Sequence, residues 1–267
     1  MSKSYVITGA SRGIGLEFVR QLSTVATNQV FAIVRNKSTS TKLIELASNN
    51  KNIKILEADV TDYTQMKAAA SEVSKDTGGT LDVLINNAAY IDPNHMGWAL
   101  TDYEHGDILQ KDLLDAFSVN VIGVIYSINA FINLVKAGQT KKVITISSGI
   151  ADPDVQWASG FYQGAPYAIS KAAVNLAVTK YAIQFKDEGI IFLALSPGYV
   201  DTAEEPLTPQ AIADKEGQIA ALRKVVPDFK GPLTPEESVS AQLQVIDGIT
   251  LEATGGFISH HGDKNWL

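Results

Sequence analysis

The chain has 267 residues, of which 45% are apolar and 19% are charged, and it contains no cysteine. This composition excludes an intrinsically disordered chain, a coiled coil, a disulfide scaffold and catalysis by a thiolate. A net charge of −7 argues against a general binder of nucleic acid or of anionic membranes. Because an apolar run begins near Ser4 and leaves no room for a signal peptide, we expect a cytoplasmic protein.

Short β-branched runs alternate with longer amphipathic stretches, which is typical of parallel strands joined by crossover helices. The fold class is therefore α/β: a Rossmann fold with a doubly wound, mostly parallel sheet of seven strands and helices on both faces. The predicted strands are residues 5–8, 30–34, 53–57, 83–86, 143–147, 190–195 and 257–258. The predicted helices are residues 13–24, 40–48, 64–75, 110–136, 165–185 and 235–247.

Prolines crowd between the sixth and the seventh predicted strand, at Pro206, Pro209, Pro227, Pro232 and Pro235. Long irregular connections in compact domains are often functional, and this one leaves the carboxyl end of a strand, where open α/β sheets bind ligands. We therefore predict one domain over residues 1–267 with a substrate lid at residues 200–234. An ordinary surface loop is the alternative.

A glycine-rich turn, T-G-A-S-R-G-I-G at residues 8–15, follows the first predicted strand and opens the first predicted helix. Gly9 can take the tight turn, Gly13 lets the backbone approach a pyrophosphate, and Gly15 lets the helix pack close to the sheet. The N–H groups of the first helical turn then face the anion. The residues of this predicted dinucleotide site are Gly9, Ser11, Arg12, Gly13, Ile14 and Gly15.

The same turn also contains G-x-S-x-G, the nucleophile elbow of serine hydrolases, with Ser11 as the nucleophile. An elbow needs an oxyanion loop and several strands before its serine, whereas only ten residues precede Ser11. No histidine stands in a context that marks a triad base. His260 and His261, on a short predicted strand, would point to opposite faces, so they do not predict a metal site.

Arg35 stands near the end of the second predicted strand, where a fold that prefers NAD usually has a carboxylate. Its planar guanidinium can bind a phosphate through two hydrogen bonds, and Arg12 adds a second positive charge. The alternative is that both are solvated surface arginines. The pattern favours NADP, with Arg12 and Arg35 at the 2′-phosphate.

Tyr167 and Lys171 lie four residues apart in a predicted helix and therefore share one helix face. A nearby ammonium favours the phenolate and lowers the pKa of the tyrosine, which makes the phenol a usable general acid or base. Such a pair alone is usually a surface feature. Ser148, at the end of the fifth predicted strand, and Asn120, in the preceding long helix, make a catalytic role for this pair a stronger prediction.

These motifs together resemble one family, the classical short-chain dehydrogenases/reductases. The resemblance rests on residues 8–15, on N-N-A-A at 86–89, on P-G-Y-V-D-T at 197–202, and on Asn120, Ser148, Tyr167 and Lys171. It covers nearly the whole chain. The ending G-G-F-I-S at residues 255–259 is similar to the carbonyl-reductase branch of the sniffer and C-factor proteins.

The resemblance implies an oxidoreductase that uses NADPH to reduce a ketone or aldehyde, or NADP to oxidise an alcohol. Tyr167 would pass a proton to the substrate carbonyl oxygen, Ser148 would bind that oxygen, and Lys171 would hold the nicotinamide ribose and lower the pKa of Tyr167. Asn120 would seat a water that links Lys171 to solvent. Asp59 would bind the adenine amino group. Further implied cofactor contacts are Val60, Asn87, Ala88, Pro197, Gly198, Val200 and Thr202.

The chain departs from the family pattern at Ala89, where glycine is more frequent. The stretch between Ser148 and Tyr167 is also longer than is usual in the family, so we expect the wall of the substrate site to differ from that of other members. Aromatic side chains in predicted loops favour an apolar or aromatic carbonyl substrate, with core packing as the alternative. They are Trp98, Trp157, Phe161, Tyr162 and Tyr199.

Two other functions stay open at this point: an NADP(H)-binding sensor or regulator without turnover, and an imine reductase or isomerase of secondary metabolism on the same scaffold. The complete set of Asn120, Ser148, Tyr167 and Lys171 argues against a sensor, because a binding protein needs no tuned phenol. The two long predicted helices resemble those that pair subunits in the family, which predicts a homodimer or homotetramer rather than a monomer. No metal, nucleic acid or membrane is expected as a partner.

Overall fold

A computed structural model of the chain describes residues 2–203 and 208–267. It contains one parallel sheet with the strand order β3-β2-β1-β4-β5-β6-β7. The strands are β1 (Ser4–Thr8), β2 (Gln29–Val34), β3 (Ile53–Glu57), β4 (Val83–Asn86), β5 (Lys142–Ile146), β6 (Ile191–Ser196) and β7 (Phe257–Ser259). The predicted α/β class and seven-stranded parallel sheet are confirmed.

Helices cover both faces of this sheet. The helices are α1 (Gly13–Ser23), α2 (Thr41–Asn49), α3 (Tyr63–Thr77), α4 (Gly106–Phe117), α5 (Gly123–Ala137), α6 (Pro153–Ser159), α7 (Ala165–Gln184), α8 (Pro209–Val225) and α9 (Pro235–Gly248). Side chains of α3, α5 and α7 form one hydrophobic core with the sheet, and side chains of α1, α2 and α9 form the other.

The central strands are mostly apolar because each faces a core on both sides. All of the residues of β1, β4 and β6 are buried. Successive side chains enter opposite cores, as Leu84 and Ile85 do in β4. The strand pattern of the sequence is therefore a direct consequence of the two helical layers.

The long helix predicted over residues 110–136 is instead two helices, α4 and α5, joined by a π-helical turn at Ser118–Ile122. Such turns occur mostly as single insertions within α-helices, often at functional sites. By length and composition the continuous stretch Gly106–Ala137 could cross a membrane. It packs against α3 and α7, and 44% of its most apolar part is buried, which is typical of a core helix.

The expectation of an irregular connection between the sixth and seventh strands is wrong over Pro209–Val225, which form α8. Good helix formers fill this segment, Pro209 begins the helix, and Arg223 and Lys224 carry positive charge in its last turn. Pro206, within the predicted lid, lies outside the described residues. The short helix α6 was also not predicted.

His260 and His261 do not lie on a strand, and their predicted opposite directions are wrong. β7 ends at Ser259, so the alternation of a strand no longer applies to the two histidines. Their rings pack together with centroids 3.9 Å apart. Burial lowers the pKa of His260 to about 4, so this ring is neutral at physiological pH.

Candidate active site

The candidate site lies at the carboxyl edge of the sheet, where parallel strands of an open α/β fold present their connections to ligands. The glycine turn follows β1, and Asn87 follows β4. Ser148 follows β5, and Pro197 follows β6. Each predicted segment of the site therefore leaves the sheet at this edge.

The glycine turn packs so closely on its surroundings that side chains are excluded. Gly9 has a φ angle of +67°, and a Cβ atom there would lie 2.7 Å from the Cα atom of Ala88. A Cβ atom on Gly15 would overlap the carbonyl oxygen of Gly9 and the amide of Asn87. The turn thus needs glycine for its conformation at Gly9 and for its packing at Gly15.

Hydrogen bonds join the ends of β1 and β4 beside this turn. The Thr8 hydroxyl accepts bonds from the backbone N–H groups of Asn87 and Ala88, at 3.0 and 3.1 Å. The Asn87 amide donates to the carbonyl oxygens of Thr8 and Gly9, both at 3.1 Å. Asn87 therefore holds the glycine turn against the neighbouring strand.

The N-terminus of α1 fits a pyrophosphate group. Arg12 is the N-cap residue, its side chain makes no capping hydrogen bond, and no acidic residue lies in the first turn of the helix. The first N–H groups of a helix lack intrahelical partners and carry partial positive charge. Neither a side chain cap nor a carboxylate competes with an anion at this helix end.

A cavity of about 290 Å³ lies beside the glycine turn, at the end of β2. Its lining is polar and carries two arginines and a lysine. The lining residues are Ser11, Arg12, Arg35, Asn36, Thr39, Ser40, Thr41 and Lys42. The structure thus brings together Arg12 and Arg35, as predicted from the sequence, and it adds the polar segment after β2, which the sequence shows only as a run of serine and threonine.

Asp59 and Val60 follow β3 at the same sheet edge. One carboxylate oxygen of Asp59 accepts hydrogen bonds from the backbone N–H and the hydroxyl of Thr61, at 2.9 and 2.7 Å. These bonds fix the direction of the carboxylate. Val60 touches the start of α5, where a Cβ atom on Gly123 would lie 2.9 Å from it.

The segment after β6 lies next to the glycine turn. Thr202 is near Gly13, where a Cβ atom would lie 3.3 Å from its methyl group. The carbonyl oxygen of Pro197 accepts a 2.6 Å hydrogen bond from Ser238. Val200 pairs with Leu233 in an isolated β-bridge. Gly198 (φ +82°) packs against the buried ring of His260, a contact that the sequence pattern does not reveal.

Tyr167, Ser148 and Lys171 meet at one point of this edge. Tyr167 lies in the first turn of α7, and Ser148 lies close enough to affect the pKa of its hydroxyl. Lys171, one turn further along, is 2% exposed. Its Nζ atom donates a 2.7 Å hydrogen bond to the carbonyl oxygen of Ile146 and lies 5.6 Å from the centre of the Tyr167 ring.

The expected lowering of the Tyr167 pKa by Lys171 is wrong for this structure. The ring of Tyr167 is partly exposed, but its hydroxyl lies deep, and burial raises the Tyr167 pKa to about 12 despite the opposing effect of the nearby Ser148 hydroxyl. Burial also lowers the pKa of Lys171 to about 8. The Lys171 ammonium points at Ile146, so desolvation of the phenolate dominates. Tyr167 therefore carries its proton at neutral pH.

Asn120 lies in the π turn and is fully buried. Its Oδ1 atom accepts a 2.7 Å hydrogen bond from the backbone of Tyr90, and its Nδ2 atom donates to the Tyr90 carbonyl and to the Ser170 hydroxyl, both at 2.9 Å. Both N–H groups of the amide are used in this way. A water that links Lys171 to solvent would have to bind other atoms of Asn120.

Sequence reasoning missed Tyr90 and Ser170 as partners of Asn120. The Ser170 hydroxyl donates a 2.7 Å hydrogen bond to the carbonyl oxygen of Tyr167, so it connects Asn120 to the helix that carries the phenol. The spacing of Ser170, three residues after Tyr167, would have marked it as a neighbour within the helix. Nothing in the sequence marks Tyr90 as a partner, because Asn120 binds only its backbone groups.

The connection between β4 and α4 is anchored by a buried carboxylate. Asp112 accepts a hydrogen bond from Tyr103 at 3.0 Å and lies 2.6 Å from Nδ1 of His95. Asp92 is 3.7 Å from the same nitrogen. A separation of 2.6 Å is that of a hydrogen bond, so His95 and Asp112 form a structural contact within this connection.

The five predicted aromatic residues have different surroundings. Phe161 and Tyr162 line a second cavity, between α8 and the segment before α7. The Tyr199 hydroxyl donates to Gln218 of α8 at 3.1 Å. Trp98 packs against the His95 ring at 4.2 Å, and Trp157 is 91% exposed. Phe161 and Tyr162 are therefore the two of the five that line this second cavity.

Known proteins are similar to this chain in sequence and in structure. Residues 3–211 match the short chain dehydrogenase family. The chain is 42% identical over 276 residues to the short chain dehydrogenase virK of Hypocrea virens, and 44% identical over 269 residues to the short-chain dehydrogenase/reductase AacuF of Aspergillus aculeatus. Each alignment covers 99% of this chain and 99% of the relative.

Solved structures agree. The NADPH-bound carbonyl reductase from chicken fatty liver superimposes with a TM-score of 0.78 at 27% identity, over 98% of each chain. The carbonyl reductase Sniffer of D. melanogaster shares the fold, with a TM-score of 0.78 at 23% identity over 98% of each chain. The resemblance seen in the sequence motifs is confirmed. The chain belongs to the short-chain dehydrogenase/reductase family of oxidoreductases.

Proposed function

We propose that the protein is an NADPH-dependent carbonyl reductase that reduces a ketone or aldehyde to an alcohol and that, with NADP, oxidises the alcohol in the reverse direction. The observation that carries this proposal is the placement of Tyr167 next to Ser148 and Lys171, at the same sheet edge as the glycine turn. A proton donor, a second hydroxyl for the substrate oxygen and a cation thus stand next to the dinucleotide site.

Bound NADPH supplies the hydride for the substrate carbon. Tyr167, protonated at neutral pH because its pKa is raised to about 12, donates the proton from its hydroxyl to the carbonyl oxygen. Ser148 donates a hydrogen bond to the same oxygen and stabilises the negative charge that develops there. Lys171, whose Nζ atom lies 5.6 Å from the centre of the Tyr167 ring, would hold the nicotinamide ribose beside the phenol.

The preference for NADPH is supported by the cavity that holds Arg12 and Arg35. A guanidinium can bind a phosphate through two parallel hydrogen bonds, and the cavity lining contains no carboxylate that would favour a free ribose hydroxyl. A carbonyl reductase with 27% identity to this chain carries NADPH, which agrees with this choice. Arg35 would hold the 2′-phosphate, with Arg12 as the second cation.

The protein would form a homodimer through α4 and α7. Both helices leave large apolar side chains exposed, although α7 already buries Val174 and Val178 in the core. A helix that is apolar on all sides is normally covered on all sides. The exposed side chains are Leu114, Phe117, Ile169, Leu176 and Ile183.

The test is the substitution Tyr167→Phe, which removes the proton donor and keeps the ring. NADPH oxidation with a panel of ketones and aldehydes should fall by at least about a hundredfold, the scale of general acid catalysis. The Kd for NADPH and the Tm should stay near the wild-type values. Tyr126→Phe, remote from the site on α5, is the matched control. Wild-type turnover in Tyr167→Phe would refute the proposal.

A further inference from the structure

A second cavity, of about 290 Å³, lies where three connections meet at the carboxyl edge of the sheet. Gly97 comes from the connection between β4 and α4, residues 160–163 directly precede α7, and α8 follows β6. Gln163 of this cavity is four residues before Tyr167. The position is that of a substrate site in an open α/β sheet, and the following inference rests on the proposed reductase function.

One wall of the cavity is a single face of α8. Its lining residues recur at intervals of three and four positions, which places them on one side of the helix. They are Ala213, Gly217, Gln218, Ala220, Ala221 and Lys224. Four of these six have a methyl group or less as side chain, so most of this wall is flat. From Ala213 to Lys224 it extends about 16 Å, at 1.5 Å per residue.

The remaining lining includes the side chains of Phe161 and Tyr162. A smooth helix face on one side and aromatic rings on the other make a slot rather than a round pocket. Planar ring systems bury large areas against aromatic side chains and stack on them. A length of about 16 Å exceeds one ring, so the slot suits fused rings.

Gly217 has no structural reason to be glycine. It lies in the interior of α8, where glycine costs about 1 kcal/mol relative to alanine. Its φ angle is outside the left-handed region, and a Cβ atom there would meet no atom of the described residues within 4 Å. The space beside Gly217 belongs to the cavity. A side chain at this position would fill the slot without disturbing the packing of the protein.

Lys224 is the charged residue of the cavity lining, at the far end of the α8 face. None of the ion pairs between described residues involves it. Gln163 and Gln218 add amide groups to the lining. An ammonium beside amides and an apolar slot is complementary to a ligand that is mostly apolar but carries one negative charge.

We propose that the substrate is a fused-ring aromatic ketone that carries a carboxylate or phenolate. Its rings lie in the slot beside Gly217, its negative group pairs with Lys224, and its carbonyl group points to Tyr167. The hydride would come from bound NADPH, Tyr167 would give its proton to the carbonyl oxygen and regain one from solvent, and the products would be the secondary alcohol and NADP. Gly217 and Lys224 then determine specificity and take no part in the hydride or proton transfer.

The probes are 9-fluorenone, 9-fluorenone-2-carboxylate and the small ketone 2-butanone, each with NADPH. Lys224→Gln should raise KM about three- to fivefold for the carboxylate and leave KM for 9-fluorenone unchanged, since one exposed charge pair is lost. Lys230→Gln, outside the lining, is its control. Gly217→Leu should raise KM for both fluorenones at least about tenfold and leave 2-butanone unchanged. Gly248→Leu, at the end of α9 with similar free space, is its control.

Different outcomes would overturn the slot and the proposed reductase function. Reduction of both fluorenones with KM values unaffected by Gly217→Leu and Lys224→Gln would overturn the slot and leave the reductase standing. Calorimetric binding of 9-fluorenone-2-carboxylate that depends on both residues, without any NADPH oxidation by the wild type, would support the slot and refute the reductase. Equal effects of Lys224→Gln on the charged and the neutral ketone would overturn the role of the charge.

Discussion

The carboxamide of Asn120 binds both backbone groups of Tyr90. Its oxygen accepts the Tyr90 N–H at 2.7 Å, and its nitrogen donates to the Tyr90 carbonyl at 2.9 Å. The second N–H of Asn120 reaches Ser170, whose hydroxyl binds the carbonyl oxygen of Tyr167. One buried side chain therefore connects three elements: the connection after β4, the π turn, and the helix that carries the proposed proton donor.

Replacing Asn120 by alanine should cost about 2–4 kcal/mol of unfolding free energy. The substitution leaves the N–H and carbonyl of Tyr90 without their partner in a buried environment, and each unsatisfied group costs about 1–3 kcal/mol. Urea unfolding measures the loss. Asn133→Ala, on the exposed side of α5, should stay within about 0.5 kcal/mol of the wild type. Equal stability of the two variants would show that the contact with Tyr90 contributes nothing.

Arg35 should determine the choice between NADPH and NADH. Arg35→Gln removes the charge from the cavity beside the glycine turn, and the Kd for NADPH should rise about tenfold to a hundredfold, the effect of losing a strong charge-assisted contact. The Kd for NADH should change little, because NADH has no 2′-phosphate. Fluorescence titration of both cofactors measures these values. Lys37→Gln, two residues away and outside the cavity lining, serves as the control. A parallel loss for both cofactors would place Arg35 elsewhere on the dinucleotide.

The burial of Lys171 predicts a dependence of stability on pH. Its pKa is lowered from the ordinary 10.5 to about 8 in the folded chain, because burial disfavours the ammonium. Between these values the unfolded chain binds more protons, so the cost of burying the charge is full at neutral pH and disappears as the pH rises through this interval. From pH 7 to pH 10 the wild type should gain roughly 2 kcal/mol relative to Lys171→Met.

Urea unfolding of the cofactor-free proteins at the two pH values tests this prediction. The titration of Tyr167 is common to both proteins and cancels in the comparison to first order. Lys180→Met, an exposed position on α7, should show no such pH-dependent difference from the wild type. A difference between Lys171→Met and the wild type that is constant with pH would mean that the Lys171 amine is solvated as in the unfolded chain.

The sheet was predictable because its strands obey a local rule. Strands such as β1 and β6 are buried at every position and mostly apolar, since helices cover both faces, and the glycine turn stands directly between a strand and a helix. The carboxyl end of β5 then places Ser148 near Tyr167. The topology alone brings distant parts of the sequence to one edge.

Features that depend on long-range packing were not predictable. The π turn at Ser118–Ile122 has no local signature and follows from the contacts of Asn120 with Tyr90. The raised pKa of Tyr167 reflects burial, which outweighs the charge that the spacing to Lys171 suggests. Helix α8 was not predicted because prolines stand on both sides of it, although its interior contains none.

The exposed apolar side chains of α4 and α7 predict a dimer, and one charged substitution among them should dissociate it into monomers. Leu176 is 60% exposed and Leu114 is 59% exposed, and such contiguous apolar surface on a globular domain usually marks an interface. Sedimentation velocity should show a dimer of the wild type at micromolar concentration. Leu176→Arg should sediment as a monomer, because a dimer would bury an unpaired guanidinium. Ile44→Arg, at an exposed apolar position on α2, which packs on the other face of the sheet, should remain dimeric. A wild type that stays monomeric at every concentration, or a dimer that survives Leu176→Arg, would mean that this face is not the interface.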